Sequence, residues 1–359
     1  MSDAIEAVSQ RLDNFAAFQS RDTAEMGPDA GDFIAASAAA IQGGKRLRAR
    51  FCLTGWRAVA ETGSRSTPAT ESVIAAAAAL EIFHAAALVH DDLIDNSDTR
   101  RGRAASHRAL EQAHRDAGWH GDAASFGRSS AILLGDLLVA WSDDLLEAAL
   151  RGHPFAAATR AEYALMRRDV TIGQLLDITE ESAWSVSPPS ALLERALRVV
   201  SLKSARYSVT EPIVLGATLA GADDALVSAL REFGNPVGMA FQLRDDVLGV
   251  FGDPQVTGKP AGDDLREGKR TALIAITREN LSVSQRTELD AALGDPTLSD
   301  DAVTALQQMI RDSGALERIE SMIAEYTEAA EVALARAALQ PEATTALRTL
   351  ADAAITRSA

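Results

Sequence analysis

The sequence predicts an all-α fold, a single large helical bundle over residues 1–359. Three observations predict it. Long segments, Leu192 to Glu211 and Val303 to Leu339 among them, place apolar residues at helical period. No run of β-branched residues alternates at period two. Alanine is abundant and aromatic residues make up only 5% of the chain, which suits packed helices. Breakers then divide the helices in order: Gly27-Pro28, Thr62 to Pro68, Gly118 to Gly127, Gly152 to Pro154, Ser185 to Pro189 and Gly252 to Gly268. None reads as a low-complexity linker, and no short-period repeat is present, so one domain is expected.

Lys and Arg total 35 and Asp and Glu total 51, a net charge of −16. A chain this acidic has no general footprint for nucleic acid or anionic lipid, so a polyanionic ligand would need local cations or bound metal. The single cysteine, Cys52, excludes an internal disulfide and suits a reducing compartment. The start, MSDAIEAVSQRLDNF, lacks a basic region followed by an apolar core. The most apolar stretch, Val73 to Val89, is interrupted by Glu81 and His84, so no stable membrane insertion is expected. The expectation is a soluble cytoplasmic protein.

Two aspartate-rich segments stand out, Asp91-Asp92-Leu-Ile-Asp95 and Asp245-Asp246-Val-Leu-Gly249. Asp91 and Asp95 are four apart, so both carboxylates share one helix face, and Asp92 borders it. Apolar flanks argue against free solvation, and an oxygen-only set with no cysteine favours Mg²⁺. A solvated acidic helix end reads about equally well on this segment alone. Arg100-Arg101-Gly102-Arg103 follows, suited to phosphate oxygens through planar forks, or else a basic loop balancing the acids. Gly43-Gly44-Lys45-Arg46-Leu47-Arg48 lets backbone and cations approach an anion, though Gly-Gly before Lys also marks plain helix boundaries. Gln174 and Asp177 share a face, Lys203-Ser204 lies in a helical stretch, and Lys259 lies in a loop; each alone reads as ordinary polar surface. Together, two aspartate sets and separated cations suggest a metal-bridged diphosphate with more than one phosphate-bearing ligand.

Six pieces in order make the pattern specific: GGKRLR at 43–48, EIFHAAALVHDDLIDNSDTRRG at 81–102, GQLLD at 173–177, KS at 203–204, FQLRDD at 241–246 and GKPAGDDLREGKRT at 258–271. They resemble the trans-isoprenyl diphosphate synthases, the polyprenyl synthetase family, with wording around 81–102 and DDVLGVFGD most like actinobacterial geranylgeranyl diphosphate synthases. The resemblance implies an isoprenoid-synthase-type bundle with a central cavity, the two aspartate motifs facing each other across its mouth. It implies a prenyltransferase that condenses isopentenyl diphosphate with allylic prenyl diphosphates, a C20 product, a homodimer and three Mg²⁺ per active site. Asp91, Asp95 and Asp245 would ligate metal, with Asp92 in support. Arg100, Lys203 and Lys259 would grip the allylic diphosphate. Lys45, Arg48, His84 and Arg101 would hold isopentenyl diphosphate. Gln242 and Ser204 would face the reacting carbon, with Asp177, Asp263 and Asp264 bound through water.

Two positions depart from the family pattern: the second motif ends in Gly249 rather than Asp, and Ser204 stands where Thr is common. Asp253 would lie about 10 Å further along a continued helix from Asp246, too far to substitute directly. Phe83, Ala87 and Asp91 are spaced i, i+4, i+8, with Ala86 beside them. In the family, bulk just before the first motif stops growth at C15; alanine at 86 and 87 relieves this, and Phe83 would be a deeper floor. C15 or longer products remain alternatives, and Phe83 packing into an ordinary core is another. A non-catalytic partner subunit is a rival motivated by Gly249. A carboxylate-bridged di-iron bundle is a second, from Glu81-Ile-Phe-His84 and Glu111-Gln-Ala-His114, but it leaves the aspartate pairs and lysines unexplained.

Overall fold

The computed structural model describes residues 2–60, 70–100, 102–253 and 262–356. The chain forms two compact units: Met1–Thr159 with Leu219–Gly221, and Arg160–Thr218 with Ala222–Ala359. Helices dominate both, as the apolar periodicity requires.

The first unit carries α1 (Ser2–Asp22), α2 (Pro28–Ala40), α3 (Leu47–Ala60), α4 (Glu71–Ile94), α5 (Ser106–Asp116) and α6 (Ala123–Leu150), and the start of α7 (Ala156–Ala183). The Ala-rich α4 is its central element, buried from Val73 almost without interruption to Ala86. Small side chains let α4 and α6 pack closely, and the Ser142 hydroxyl on α6 donates to the Ala79 carbonyl at 2.5 Å. Between α4 and α5 lies a short antiparallel hairpin, β1 (Thr99–Arg100) and β2 (Arg103–Ala104). Two-residue strands carry no periodicity, so the sequence gives no signal for them. The expected loop from Gly118 to Gly127 ends earlier, because α6 begins at Ala123 behind an Asp122 cap that accepts the Ala124 amide at 3.0 Å. Gly127 is a packing glycine inside that helix, since a Cβ there would meet the Glu111 side chain on α5 at 2.9 Å.

The second unit holds the rest of α7, then α8 (Pro189–Val199), a π-helical segment (Val200–Thr210), α9 (Glu211–Leu219) and α10 (Asp224–Phe251). The short α11 (Asp263–Glu267), α12 (Ala272–Asn280), α13 (Val283–Ala292), α14 (Asp300–Asp312), α15 (Ala315–Arg336) and α16 (Pro341–Ile355) follow. The helical period over Leu192 to Glu211 is therefore real, but its second half is wound as π rather than α. Two glycines let neighbouring helices approach that segment: a Cβ at Gly173 on α7 would lie 2.7 Å from the Lys203 Cα, and one at Gly238 on α10 would lie 2.8 Å from the Ala205 Cα. The stretch Val303 to Leu339 is interrupted at Gly314, whose φ of 76° ends α14 and starts α15. The expected loop 62–68 lies outside the described residues; the one at 252–268 is described only at Gly252, Asp253 and from 262, where α11 forms.

By length and composition α4 and α6 could each cross a membrane. For α4, 72% of the apolar window is buried within the protein, as in a core helix; for α6 the share is 28%.

Candidate active site

The basic turn of the first unit is built around Arg46. Gly43, Gly44 and Arg46 take positive φ (73°, 88° and 52°), which swings the chain sharply into α3. Arg46 is held there by two partners. It is buried, its Nη1 donates to the Ile41 carbonyl at 3.1 Å, and the same atom lies 3.7 Å from the Glu81 carboxylate on α4. Glu81 also accepts the Ala49 amide at 3.0 Å, a negative charge on the first turn of α3. The Lys45 carbonyl accepts Arg50 Nε at 3.0 Å. The result is a rigid turn that leaves Lys45 exposed and Arg48 half-buried.

The first aspartate motif occupies the last turn of α4, where helix periodicity predicted it. Asp95 caps the helix, its amide donating to the Asp91 carbonyl at 2.8 Å. Asp91 is partly exposed, whereas Asp92 points inward and is buried. The hairpin reaches back to this turn: Arg100 donates to Asp92 through Nε at 2.6 Å and through Nη2, and Nη2 lies 3.7 Å from Asp91. Burial pushes the Asp92 carboxyl pKa up, and the hydrogen bond and charge of Arg100 oppose that rise. The motif is thus divided: Asp91 and Asp95 are half-buried, and the buried Asp92 anchors Arg100. Behind it sits His107, only 2% exposed, whose ring nitrogens find no hydrogen-bond partner among the described residues. Burial lowers its pKa, so a neutral imidazole backs the carboxylates. His84 is half-buried on α4, one turn from Glu81. Arg101 lies outside the described residues.

In the second unit the π-helical segment presents Lys203 and Ser204, both half-buried. Lys203 Nζ lies 2.5 Å from the Asp177 carboxylate of α7. Glu181, one turn beyond Asp177, has its pKa raised by burial and by Asp177, opposed by Arg270, Lys203 and Lys269. The second aspartate motif lies near the end of α10. Asp245 is exposed, and Asp246 is buried, accepting from Gln242 Nε2 at 2.8 Å. Burial pushes the Asp246 pKa up to about 8, reinforced by Asp264 and Asp245. Asp253 is exposed just past the helix. Lys259 lies outside the described residues.

Sequence reasoning missed the anchors. His107 and Glu181 carry no motif signal of their own; Arg46 and Glu81 lie within the segments at 43–48 and 81–102, but nothing in the sequence pairs them with each other. Glu81 and Glu111 are both committed elsewhere, Glu111 to Arg108 and Arg115 and Glu81 to the basic turn, and His114 packs against Trp119 and Phe126. The di-iron alternative therefore lacks the inward-facing ligand cage it requires.

The donors nonetheless suit a hard cation. Among the described residues no three His, Cys, Asp or Glu side chains gather closely enough to hold a metal by themselves. That openness fits Mg²⁺, which binds through one or two carboxylates and keeps water and substrate phosphate in its remaining positions. In the same acidic set, Asp246 Oδ2 is buried and has no hydrogen-bond partner among the described residues.

Comparison with known proteins decides the family. A sequence model described as polyprenyl synthetase matches residues 33–310, a span that includes both aspartate motifs. The chain belongs to the polyprenyl synthetase family. It is 33% identical to the geranylfarnesyl diphosphate synthase of Aeropyrum pernix, over 88% of this chain and 91% of the relative. It is also 33% identical to the geranylgeranyl diphosphate synthase of Mycobacterium tuberculosis, over 82% and 77% respectively. Among solved structures, the geranylgeranyl pyrophosphate synthase of Corynebacterium glutamicum, complexed with isoprenyl diphosphate and magnesium, superposes with a TM-score of 0.91 at 40% identity, covering 98% of each chain. A Caulobacter crescentus polyprenyl synthase complexed with calcium and isoprenyl diphosphate superposes with a TM-score of 0.75 at 28% identity, over 99% of this chain and 96% of that one. The all-α isoprenoid synthase fold expected from the sequence is thus the fold of the family's solved members.

Proposed function

We propose that this polyprenyl synthetase condenses isopentenyl diphosphate with allylic prenyl diphosphates and releases geranylgeranyl diphosphate. The observation that carries the reading is the arginine of the hairpin held 3.7 Å from the Asp91 carboxylate at the end of α4, which puts a cation among the acids of the first motif. The family match supports it and, by running through both units, supports reading the chain as one polyprenyl synthetase domain.

Asp91, Asp95 and Asp245 are assigned to three Mg²⁺. When bound, the metal neutralises diphosphate charge and so makes it a competent leaving group. The residues of the chain do the rest. Arg100, Lys203 and Lys259 grip the allylic diphosphate. Arg100 and Lys203 are each oriented beforehand by a carboxylate, Asp92 and Asp177, which holds the charge at a fixed point. Lys45, Arg48, His84 and Arg101 bind isopentenyl diphosphate, with Lys45 presented by the Arg46-anchored turn. The allylic C–O bond breaks with its electron pair going to the diphosphate. The double bond of isopentenyl diphosphate then forms the new C–C bond, and a proton is lost, with the released diphosphate as the base. Gln242 gives an amide hydrogen to Asp246, which leaves its amide oxygen to face positive charge beside Ser204. No protein nucleophile is required, and water must be excluded from the cation.

The C20 product is supported by small residues at 86 and 87 and by the similarity to geranylgeranyl synthases. A homodimer is supported by the sparsely buried α6, where Ile132 and Leu133 are 47% and 61% exposed. A cytoplasmic setting accords with the lone buried Cys52. The activity is tested by diphosphate release, which should require an allylic primer, isopentenyl diphosphate and Mg²⁺ together. Release without isopentenyl diphosphate, yielding only alcohol or cyclic products, would contradict condensation.

A further inference from the structure

The end of α4 is electrostatically unfavourable. Its last turn holds Asp91 and Asp92 and no basic residue, and Asp95 caps it. Anions at a helix C-terminus oppose the macrodipole, and Asp91 and Asp95 repel each other at i, i+4. A turn of this kind frays unless it is held from outside. Arg100 holds Asp92. A second hold comes from His90, the residue just before the motif.

His90 Nε2 lies 3.2 Å from the Ile132 carbonyl on α6 and 3.7 Å from the Asp136 carboxylate, one turn further along that helix. A carbonyl only accepts, so this hydrogen bond places the ring proton on Nε2. The ring reaches α6 because position 135 is glycine. A Cβ there would overlap His90 Nε2 and lie 2.5 Å from its Cδ2 and 2.6 Å from its Cε1. Gly135 is buried in the middle of the 28-residue α6, where glycine costs helix stability against alanine. The close approach of the ring accounts for it. Successive helix residues turn by about 100°, so His90 and Asp92 leave α4 on nearly opposite sides, with Asp91 and Asp95 between them. The acidic turn is thus gripped twice, by the hairpin through Asp92 and by α6 through His90.

We propose that His90 is a positioning residue for the first aspartate motif, and that Gly135 is the seat that admits its ring. Clamping the turn to α6 keeps Asp91 and Asp95 in place for a metal–diphosphate complex. His90 acts through the backbone of the turn rather than by contact with metal or substrate. The two positions form one device: removing the ring, or filling its seat, should loosen the same turn.

This assignment rests on the diphosphate reading above, and one set of titrations separates the two. Mg²⁺ is titrated by calorimetry into the full chain with inorganic diphosphate, and the thermal midpoint in EDTA is followed by circular dichroism. Wild type should bind. His90→Ala should lose about 10-fold in Mg²⁺ affinity, the lower end of the loss for groups that orient metal ligands from outside. Gly135→Ala should lose a similar amount although alanine favours the helix it enters, because its methyl displaces the ring. His90→Gln, which keeps a donor at a similar reach, should recover part of the affinity. His90→Ala/Gly135→Ala should bind no worse than His90→Ala alone, since the ring is already gone. If His90→Ala does not fold, Gly135→Ala keeps every other side chain and carries the test. Wild-type Mg²⁺ affinity in folded His90→Ala or Gly135→Ala, even with a lowered thermal midpoint, would make the contact structural only. That result would overturn the assignment and leave the prenyltransferase reading standing, as would losses that add in the double variant. A wild-type chain that binds no Mg²⁺ with diphosphate would overturn both.

Discussion

Removing the carboxylate at position 91 should abolish most turnover while leaving the fold intact. Asp91 is partly exposed at the last turn of α4, so Asp91→Ala removes a proposed metal ligand without opening the core. Losses at such electrostatic sites run to roughly 10²–10³-fold. Near-wild-type turnover at limiting Mg²⁺, with unchanged circular dichroism, would contradict the assignment. The two basic pockets should separate by mutation. Lys45→Ala should raise the KM for isopentenyl diphosphate, and Lys203→Ala that for the allylic substrate, each losing a charge-assisted contact worth about 1.5–3 kcal/mol. Lys203→Ala also strands the Asp177 carboxylate 2.5 Å from the deleted ammonium, so part of its loss should be recovered by Asp177→Asn. Identical defects toward both substrates in both mutants would refute the division. Asp246 gives a pH signature in the metal-free protein. The folded carboxyl keeps its proton to about pH 8, whereas an unfolded one gives it up near the ordinary aspartate value of 3.8. Between these values the unfolded chain binds fewer protons, so stability present below the unfolded pKa is lost as pH rises toward 8, with a slope of at most about 1.4 kcal/mol per pH unit. Urea midpoints measured in EDTA from pH 5 to 8 should fall, and Asp246→Asn should flatten the trend.

Among the elements, α4 bears two of the proposed metal ligands, Asp91 and Asp95 at its C-terminal end, and the proposed length gauge. Phe83 and Asp91 are eight residues apart, about 12 Å along the axis. Ala86 is 1% exposed, so bulk there must displace packed neighbours, whereas Ala87 is half-buried and a larger side chain has room to project. Phe83→Ala should lengthen the product, and Ala86→Phe and Ala87→Phe should shorten it, with the 87 variant retaining more stability. Chromatography of the dephosphorylated products checks this; an unchanged distribution in active variants would move the floor to another helix. The same element shows what the sequence made legible. The i, i+4 spacing of Asp91 and Asp95 and the apolar run before them were enough to place the acids at a helix end. The inward turn of Asp92 toward Arg100 was not readable, because it depends on a hairpin of two-residue strands with no periodicity. Nor was the π winding that carries Lys203, since helical period does not distinguish it from α; it is accommodated by Gly173 and Gly238, remote in sequence.

For the whole molecule, composition and motif order established the fold class and the family, because both are properties of one-dimensional pattern. The long-range pairs were hidden for the opposite reason. Glu81 with Arg46 and Asp177 with Lys203 are 35 and 26 positions apart, and only the folded chain brings each pair together. Each supports a residue assigned to diphosphate or metal, and together they make separate charged segments into parts of a phosphate-handling enzyme. That central claim is tested most directly by incubating the purified chain with labelled isopentenyl diphosphate, Mg²⁺ and each of the C5, C10 and C15 allylic diphosphates, and resolving the products by length. The account predicts condensation with all-trans products accumulating at C20. Absence of any labelled prenyl product from every primer, in folded protein with Mg²⁺ present, would contradict it.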